Sequence, residues 1–476
     1  MKILFAASEA SPFMMTGGLG EVAGALPKAL SENEENDVRL VLPLYSGIGQ
    51  AHRKNMRDLG HINVPLAWRN QYCGVFSCKQ GRVTCYFVDN EYYFKRETIY
   101  GHYDDGERFA FFSKSVLEIL RLVDFQPDII HANDWQTALV PIYLNLFFKK
   151  DPFYQDMKTL FTIHNIQYQG VFGKEVLGDV FGIPQECCSL LEFNDCANLM
   201  KGAVICSDFV NTVSPTYAME IQDGYYAHGL DWILRDASYK LKGILNGIDT
   251  QSYDPETDPS ILARYNARDL LGKKRDKEDL QRAFGLPERP EVPLIGMVTR
   301  LVSHKGLDLI SFVMDELMGR DVQLVLLGTG DFTYEDYFYK KAREYPRSFS
   351  IRIQFDPALS RKVYAGSDMF LMPSKSEPCG LAQMIAMRYG TVPIVRQTGG
   401  LKDSVPDYGD PAGRGFTFKT YNAHDMLGAI DRAIGLYQEK AGWEELIRRD
   451  MGQDFSWDAS AKEYEGLYKQ ITGGRK

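Results

Sequence analysis

The sequence lacks several features that would place it in a specialised structural class. No apolar run among its 476 residues is long enough to span a bilayer, and there is no low-complexity tract and no repeat of short fixed period. Eight cysteines are too few for a disulfide framework in a chain of this length. The group Cys73, Cys78 and Cys85 does not have the paired two-residue spacing of a zinc site. We therefore expect buried free thiols, no bound metal and no membrane-spanning segment.

The charge balance excludes further classes of partner. The chain carries 54 Lys and Arg against 63 Asp and Glu, a formal net charge of -9. Such a charge argues against nucleic acid or an anionic membrane as the main partner, although it does not describe any single pocket. The first seven residues are typical of a short strand and too short for the core of a signal peptide. A cytoplasmic protein is therefore expected.

Short apolar segments alternate with segments of helical periodicity along the whole chain. This alternation predicts an α/β fold with parallel sheets covered by helices on both faces. With 45% apolar residues the chain can build more than one core, and its length predicts two or three domains. The strand candidates are residues 3–7, 38–42, 83–88, 129–131, 159–163, 209–213, 294–298, 323–327, 350–355, 369–372 and 392–395.

Two doubly wound, Rossmann-like domains account for this pattern. The segment Leu245-Asn246-Gly247-Ile248-Asp249 precedes a stretch rich in charge, proline and turn residues, which indicates a domain junction. We expect domains at 1–245 and 246–456, facing a deep cleft formed by the carboxyl ends of their strands. Residues 457–476 are expected to contain a helix that packs back on the first domain.

The loop from Ser374 to Leu381 is the most informative stretch. It follows a buried strand candidate and precedes a helical run, and it contains Glu377, Pro378 and Gly380. A helix N-terminus at such a position favours an anion. Because a carboxylate repels phosphate, Glu377 is better suited to accept hydrogen bonds from sugar hydroxyls. A phosphorylated sugar is the predicted ligand.

A second loop places Arg300 and Lys305 directly after the strand candidate at residues 294–298. Two cations at one strand end suit a diphosphate, since Arg offers a planar fork and Lys a point charge. A solvated basic loop is the alternative interpretation. Near the N-terminus, Gly17 and Gly18 would let a phosphate or a sugar approach the backbone closely, unless they serve a turn that needs positive φ.

Two further loops of the first half carry side chains suited to a sugar. Asp134 could meet an acceptor hydroxyl, Trp135 could stack on a sugar face, and His164 could aim its ring and backbone at a sugar. The alternative for an isolated histidine in either loop, His131 or His164, is a core side chain with a satisfied hydrogen bond.

Taken together and in this order, these motifs resemble those of bacterial glycogen synthase and plant starch synthase, retaining glucosyltransferases of the GT-B architecture. The similarity spans essentially the whole chain and includes the following: Glu9, Thr16-Gly17-Gly18-Leu19, Asp134-Trp135, His164-Asn165, Asn246-Gly247-Ile248-Asp249, Arg300, Lys305, Glu377-Pro378-Cys379-Gly380-Leu381 and Thr398-Gly399-Gly400-Leu401.

The resemblance implies transfer of glucose with retention from ADP-glucose to the non-reducing end of an α-1,4-glucan such as glycogen or a maltooligosaccharide, without metal or pyridoxal phosphate. It places the acceptor and catalytic loops in the first domain and the nucleotide sugar in the second. The implied catalytic residues are His164, Asp134, Arg300, Lys305 and Glu377. The implied donor-binding residues are Glu9, Met15, Thr16, Gly17, Gly18, Asn246, Ser374, Cys379, Gly380 and Leu381. The implied acceptor-binding residues are Trp135, Tyr92, Tyr93 and Asn165.

Met15 departs from the family pattern, which has lysine at this place. A thioether neither carries charge nor donates a hydrogen bond, so donor binding is expected to be weaker or altered. This departure keeps open a weak or inactive glucan-binding or regulatory paralogue. A glucan synthase that prefers UDP-glucose is a further alternative, because no residue of the sequence identifies the base of the nucleotide. A glucan phosphorylase is disfavoured, because that enzyme has a much longer chain and a lysine-linked pyridoxal phosphate.

Overall fold

The computed structural model describes residues 1–473 and separates them into two compact units. One unit comprises Met1–Ile244 together with the C-terminal segment that begins at Trp457, and the other comprises Leu245–Ser456. The boundaries expected from the sequence lie within one residue of this division. Within the described residues, no helix is long and apolar enough to cross a membrane.

The strands, in chain order, are β1 (Lys2–Ala6), β2 (Asp37–Pro43), β3 (Arg57–Leu66), β4 (Arg69–Gln80), β5 (Val83–Asp89), β6 (Ile129–Asn133), β7 (Lys158–Ile163), β8 (Val171–Gly173), β9 (Glu192–Phe193), β10 (Cys196–Asn198), β11 (Phe209–Thr212), β12 (Leu241–Gly243), β13 (Leu294–Val298), β14 (Gln323–Leu327), β15 (Phe349–Arg352), β16 (Met369–Met372), β17 (Val392–Arg396) and β18 (Phe416–Phe418). Each segment predicted as a strand overlaps one of them, with small shifts at the ends.

The α-helices are α1 (Gly18–Ser31), α2 (Gln50–Arg53), α3 (Glu91–Phe94), α4 (Asp105–Leu122), α5 (Leu139–Tyr143), α6 (Val176–Asp179), α7 (Leu199–Cys206), α8 (Pro215–Glu220), α9 (Asp231–Asp236), α10 (Leu271–Phe284), α11 (Leu307–Phe312), α12 (Met314–Met318), α13 (Phe332–Glu344), α14 (Pro357–Gly366), α15 (Ala382–Arg388), α16 (Gly399–Ser404), α17 (Ala423–Gln438), α18 (Lys440–Met451) and α19 (Trp457–Ile471). Shorter 3₁₀ turns lie at Trp135–Thr137, Gln185–Leu190, Ser238–Lys240 and Ser303–Lys305, and a π-helical turn lies at Leu144–Phe148.

The first unit contains a nine-stranded sheet in the order β12-β11-β7-β6-β1-β2-β5-β4-β3. The strands from β12 to β5 are parallel, as predicted. At the outer edge the prediction of parallel strands is wrong, because β3, β4 and β5 pair antiparallel. Most residues of β3 are exposed, so this edge strand lacks the continuous apolar run by which a buried parallel strand is identified. A small antiparallel sheet, β8-β10-β9, completes the unit.

Helix α19 belongs to the first unit and packs against α1. Its Tyr464 and Tyr468 are fully buried, while Glu465 accepts hydrogen bonds of 2.8 Å from the amides of Asn33 and Asn36. The C-terminal helix expected from the sequence is therefore an integral part of the packing of the N-terminal half.

The second unit is built on a six-stranded parallel sheet in the order β15-β14-β13-β16-β17-β18. Its central strands are buried on both faces, which explains their uninterrupted apolar sequences. Because β13, β16 and β17 are parallel neighbours, the loops after them leave the sheet at one edge. These loops contain Arg300, Glu377 and Thr398.

Candidate active site

Strands β6 and β7 end side by side and bring two predicted residues of the first unit together. Asp134 follows β6 and His164 follows β7, and Asp134 Oδ1 accepts a 2.8 Å hydrogen bond from the backbone N–H of His164. Asp134 has a φ of 54°, a conformation that Asp and Asn adopt more readily than bulkier residues. The resemblance predicted roles for both residues, and the fold places them in direct contact.

The hydrogen bonds of Asn133 determine which ring nitrogen of His164 carries the proton. Asn133 Nδ2 donates to the carbonyl oxygens of Ala6 and His131, at 3.0 and 3.2 Å. Its Oδ1 therefore faces His164 Nε2, 2.9 Å away, and Nε2 is the donor. Burial lowers the pKa of His164 to about 3, so the ring is neutral at physiological pH. The lone pair of Nδ1 is left available as a hydrogen-bond acceptor.

His131 corresponds to the alternative interpretation of a core histidine. Its Nδ1 lies 2.8 Å from the Tyr468 hydroxyl and its Nε2 lies 2.5 Å from Thr162 Oγ1. The ring is fully buried and burial lowers its pKa well below the usual value. His131 thus connects α19 to the sheet and has no surface to offer a substrate.

Burial changes the ionisation of Asp134. Desolvation raises its pKa to about 7, although hydrogen bonds from the backbone of His164 and Asn165 act in the opposite direction. Glu9 also raises this pKa, since it is a second carboxylate in the same unit. Asp134 is therefore half-protonated near neutral pH, a property that activity measurements can detect.

Glu9 holds the glycine loop instead of facing outward. Thr16 donates to Glu9 Oε2 from both its backbone N–H and its hydroxyl, the latter at 3.0 Å. Only 4% of Glu9 is exposed, and burial raises its pKa. Glu9 and Thr16 are thus hydrogen-bonded to each other in this structure, and their contacts with the donor stay predictions. Met15, which is 43% exposed, remains accessible.

Gly17 and Gly18 are exposed and are not required by the fold. A Cβ atom added at either position would meet nothing within 4 Å, and neither residue has a positive φ. The alternative of a turn that needs glycine for its backbone is therefore wrong. Open space above this backbone remains for a ligand that approaches closely.

Two tyrosines predicted to bind the acceptor have different environments. Tyr93 is 0% exposed, donates a 2.6 Å hydrogen bond to Glu107 and packs against Phe111. Tyr92 is 62% exposed. Tyr93 has no free face for a sugar, so we withdraw the prediction of direct acceptor contact for Tyr93 and keep it for Tyr92. The sequence does not distinguish the two tyrosines, because they are adjacent in α3 and only the packing of this helix determines which of them is exposed.

Trp135 is half-buried, and the aromatic residues Phe109 and Phe172 surround it with ring centroids 5.3 and 5.8 Å away. A Cβ atom added to Gly170 would lie 2.8 Å from the indole ring.

Asn165 follows His164 directly, and its Oδ1 accepts a 3.0 Å hydrogen bond from the backbone N–H of Gln167. The acceptor contacts of Trp135 and Asn165 stay predictions.

In the second unit, three predicted residues form one cluster. Lys305 Nζ lies 2.6 Å from Glu377 Oε2, and the Ser374 hydroxyl donates to the same oxygen at 3.0 Å. Glu377 is buried, and its Oε1 accepts no hydrogen bond from the described residues. One carboxylate oxygen thus orients the lysine while the other is available to a sugar hydroxyl.

Arg300 is exposed and makes no side-chain hydrogen bond or ion pair with any residue of the described chain. Arg300 and Lys305 both lie in the loop after β13, so this loop presents one cation without a partner among the described residues and one that is paired with Glu377. This arrangement does not match the alternative of a merely solvated basic loop, because Lys305 is largely buried against its partner.

The sequence interpretation did not identify Arg396 as a support of the Glu377 loop. The Arg396 guanidinium donates to the carbonyl oxygens of Ser374, at 2.8 Å, and of Lys375. Gly399 has a φ of 44°, and a Cβ atom there would lie 2.0 Å from the Glu377 carbonyl oxygen. The turn after β17 therefore packs closely against the backbone of Glu377, and a residue larger than glycine at position 399 would displace the Glu377 carbonyl group.

The remaining predicted donor residues also lie around this loop. Gly380 has a φ of 69°, and Leu381 immediately precedes α15, a helix of seven residues. Burial raises the pKa of the Cys379 thiol to about 12, with a backbone hydrogen bond from Asn246 acting in the opposite direction. The Asn246 side-chain oxygen is buried without a hydrogen-bond partner. The anion site predicted at the helix start stays a prediction.

Phe355 was not among the sequence candidates. It was expected inside a strand, but β15 ends at Arg352 and Phe355 lies in the following loop, 90% exposed. An exposed aromatic ring after a strand of the parallel sheet is a suitable surface for stacking of a planar base. Only the observed strand end reveals this exposure.

No group of three or more His, Cys, Asp or Glu side chains within residues 1–473 is arranged to hold a metal ion. The expectation that the reaction needs no metal and no pyridoxal phosphate is a separate statement about chemistry, and it stays a prediction.

Comparison with known proteins identifies the family. The model of the starch synthase catalytic domain matches residues 2–236, and that of glycosyl transferases group 1 matches residues 276–449. A glycogen synthase of Geobacillus thermodenitrificans is 50% identical over 99% of this chain and 98% of that protein. A glycogen synthase of Bacillus cereus is 51% identical over 99% of this chain and all of that protein. The chain belongs to the glycogen synthase family.

Solved structures confirm the fold of this glycogen synthase family member. The catalytic domain of starch synthase IV from Arabidopsis thaliana, bound to ADP and acarbose, has a TM-score of 0.89, 36% identity and 99% coverage of both chains. A sucrose-phosphate synthase from Thermosynechococcus elongatus, at 16% identity and a TM-score of 0.63, shares the fold over 100% of both chains. The chain is a glycosyltransferase of the GT-B class, as its motifs predicted.

Proposed function

We propose that this glycogen synthase family member transfers glucose, with retention, from ADP-glucose to the non-reducing end of an α-1,4-glucan. The observation that carries the proposal is the pair of cations after β13: Arg300 has no ion-pair partner among residues 1–473, and Lys305 is held by Glu377. Two cations in one loop suit a diphosphate leaving group. The starch synthase IV structure bound to ADP and acarbose supports a nucleotide donor and a glucan-like acceptor.

The geometry favours stabilisation of departing charge. Breaking the bond between glucose and diphosphate builds positive charge on the sugar and negative charge on the leaving group. Lys305, which Glu377 holds in place, would stabilise that negative charge more in the transition state than in the ground state. Because Arg300 and Lys305 supply this charge, we propose that neither a metal nor pyridoxal phosphate is needed.

Each unit offers a sugar hydrogen-bond acceptors of its own. His164 is neutral, so its Nδ1 can accept a hydrogen bond from a hydroxyl without placing a cation beside the developing positive charge. In the second unit, Glu377 Oε1 is an acceptor without a partner among residues 1–473, and in the first unit Asp134 is a candidate to bind an acceptor hydroxyl. The open backbone at Gly17 and Gly18 leaves room for glucose or phosphate.

The decisive experiment is transfer of radiolabelled glucose to a maltooligosaccharide, from ADP-glucose and separately from UDP-glucose. We expect incorporation from ADP-glucose, with a higher kcat/KM than from UDP-glucose. Transfer that is faster from UDP-glucose would overturn the assigned donor. Binding of the glucan without transfer from either donor would instead support a binding or regulatory paralogue, the interpretation that Met15 suggests. The cytosol is the proposed compartment.

Replacing Met15 with lysine is expected to lower the Michaelis constant for ADP-glucose about ten- to a hundredfold, because a charge-assisted contact contributes about 1.5–3 kcal/mol. The position is exposed, so the longer charged side chain can be accommodated. Steady-state kinetics at saturating acceptor measures the change. Met15→Gln is the matched control, since it is polar and uncharged, and it should recover little affinity. An unchanged Michaelis constant in Met15→Lys would show that this position does not contact donor phosphate.

A further inference from the structure

Cys78 and Cys85 lie directly opposite each other in the antiparallel pair formed by β4 and β5. The register aligns Cys78 with Cys85, between the pairs Ser77–Tyr86 and Lys79–Thr84. Residues opposed in this way have Cα atoms about 4.5–5.5 Å apart. Disulfides span Cα separations of about 4.4–6.8 Å, so this pair can be joined without a change of strand register.

The environments of the two thiols differ in a way that suits stepwise chemistry. Cys78 is partly exposed, whereas Cys85 is fully buried. Hydrogen bonding to Cys85 lowers the pKa of Cys78, whereas hydrogen bonding to Cys78 and burial raise the pKa of Cys85. Burial instead raises the pKa of Cys206 to about 11 and that of Cys73 to about 12. The accessible thiol of the pair is therefore also the more acidic one.

We propose that Cys78 and Cys85 form a redox-active dithiol, a site of reversible oxidation to an intramolecular disulfide by small-molecule disulfides. Cys78 is the attacking thiol because it is reachable from solvent, and Cys85 is the resolving thiol because it lies opposite on the neighbouring strand. The proposal concerns the edge of the first sheet and is independent of the transferase activity. Disulfides are rare in reducing compartments, and those that do form there are usually transient and catalytic or redox-sensing.

The exchange balances without any further reactant. The Cys78 thiolate attacks one sulfur of a disulfide such as oxidised glutathione, and one glutathione leaves as a thiolate that takes up a proton. The resulting mixed disulfide on Cys78 is attacked by the deprotonated sulfur of Cys85, which releases the second glutathione. The protein loses two thiol hydrogens and two electrons, and the small disulfide is reduced to two thiols.

The test is to titrate the intact, reduced protein with oxidised glutathione and count its thiols after denaturation. We expect the count to fall from eight to six, with full recovery after dithiothreitol. Peptide mass spectrometry should find the segment containing Cys78 linked to the segment containing Cys85. A count that stays at eight, or a linkage that excludes either residue, would overturn the proposal.

Cys73 provides the matched control, because it lies on the same strand as Cys78 and in the same tryptic peptide. Cys73→Ser should still lose two thiols, whereas Cys78→Ser should lose neither. Cys85→Ser should stop at the mixed disulfide, and its mass should increase by one glutathionyl group. If Cys78→Ser or Cys85→Ser folds poorly, the disulfide-linked peptide from the Cys73→Ser protein still shows whether Cys78 is linked to Cys85. In that protein, Cys78 is the single cysteine of its tryptic peptide.

Discussion

Replacing Lys305 with methionine is expected to lower kcat for glucose transfer about 10²–10³-fold, the usual effect of removing one preorganised charge-stabilising group. The ammonium is fixed 2.6 Å from Glu377 Oε2. Its loss removes a cation from the proposed diphosphate site and leaves the buried Glu377 without a counter-charge, so that the carboxylate would repel the leaving group. Initial rates at saturating ADP-glucose and maltooligosaccharide measure the effect.

A double-variant cycle separates these two causes. If the unpaired carboxylate destabilises the protein, Lys305→Met with Glu377→Gln should recover thermal stability relative to Lys305→Met alone, without recovering kcat. Lys340→Met is the control, because Lys340 is an exposed lysine of α13 paired with Asp336, and it should change kcat less than about twofold. Lys305→Met with wild-type kcat would exclude a role for this cation in the reaction.

Replacing Asp134 with asparagine is expected to lower kcat about ten- to a hundredfold, the worth of one charge-assisted hydrogen bond. Because the pKa of Asp134 is raised to about 7, the charged form is lost as pH falls below neutrality. Wild-type activity should therefore rise with pH through about 7. The Asp134→Asn variant should lack this rise. The measurement is a pH–rate profile of each protein from about pH 5.5 to about pH 8.5, a range that brackets the raised pKa.

The raised pKa of Asp134 also predicts how protein stability depends on pH, and stability should change with pH in the opposite direction to activity. Its pKa is about 7 in the folded protein and about 3.9 in an unfolded chain, so the folded state binds more protons between these values. The contribution of Asp134 to stability is therefore present at low pH and is lost as pH rises through about 7. Thermal denaturation should show Asp134→Asn gaining stability relative to wild type as the pH is raised.

Asp128→Asn is the matched control for both measurements. Asp128 is exposed at the opposite end of β6, where its Oδ2 accepts a 2.7 Å hydrogen bond from the backbone N–H of Lys2. This substitution should leave the pH–rate profile unchanged. If wild type and the Asp134→Asn variant had parallel profiles of activity and stability, Asp134 would not be the group that titrates near neutrality.

Local sequence accounts for most of the secondary structure of the two sheets. Strands β13, β14 and β16 have the predicted bounds, since a strand buried on both faces is a continuous apolar run. The exposed strand β3 was missed for the same reason, because its sequence carries no such run. Residue type and the position of a loop after a strand also identified Arg300, Lys305 and Glu377 as candidates.

The sequence by itself determined the α/β class, the family and the residues that carry chemistry, because these depend on local pattern and on motifs in a given order. Only the tertiary structure decided how those residues are used. In the folded protein Lys305 is paired with Glu377, 72 positions away, and Glu9 accepts hydrogen bonds from Thr16. Tyr93 is buried although the adjacent Tyr92 is exposed, and Cys78 lies opposite Cys85. Pairing, burial and pKa depend on which side chains strand order, register and loop conformation bring together, whether they lie seven positions apart, like Cys78 and Cys85, or 72, like Lys305 and Glu377.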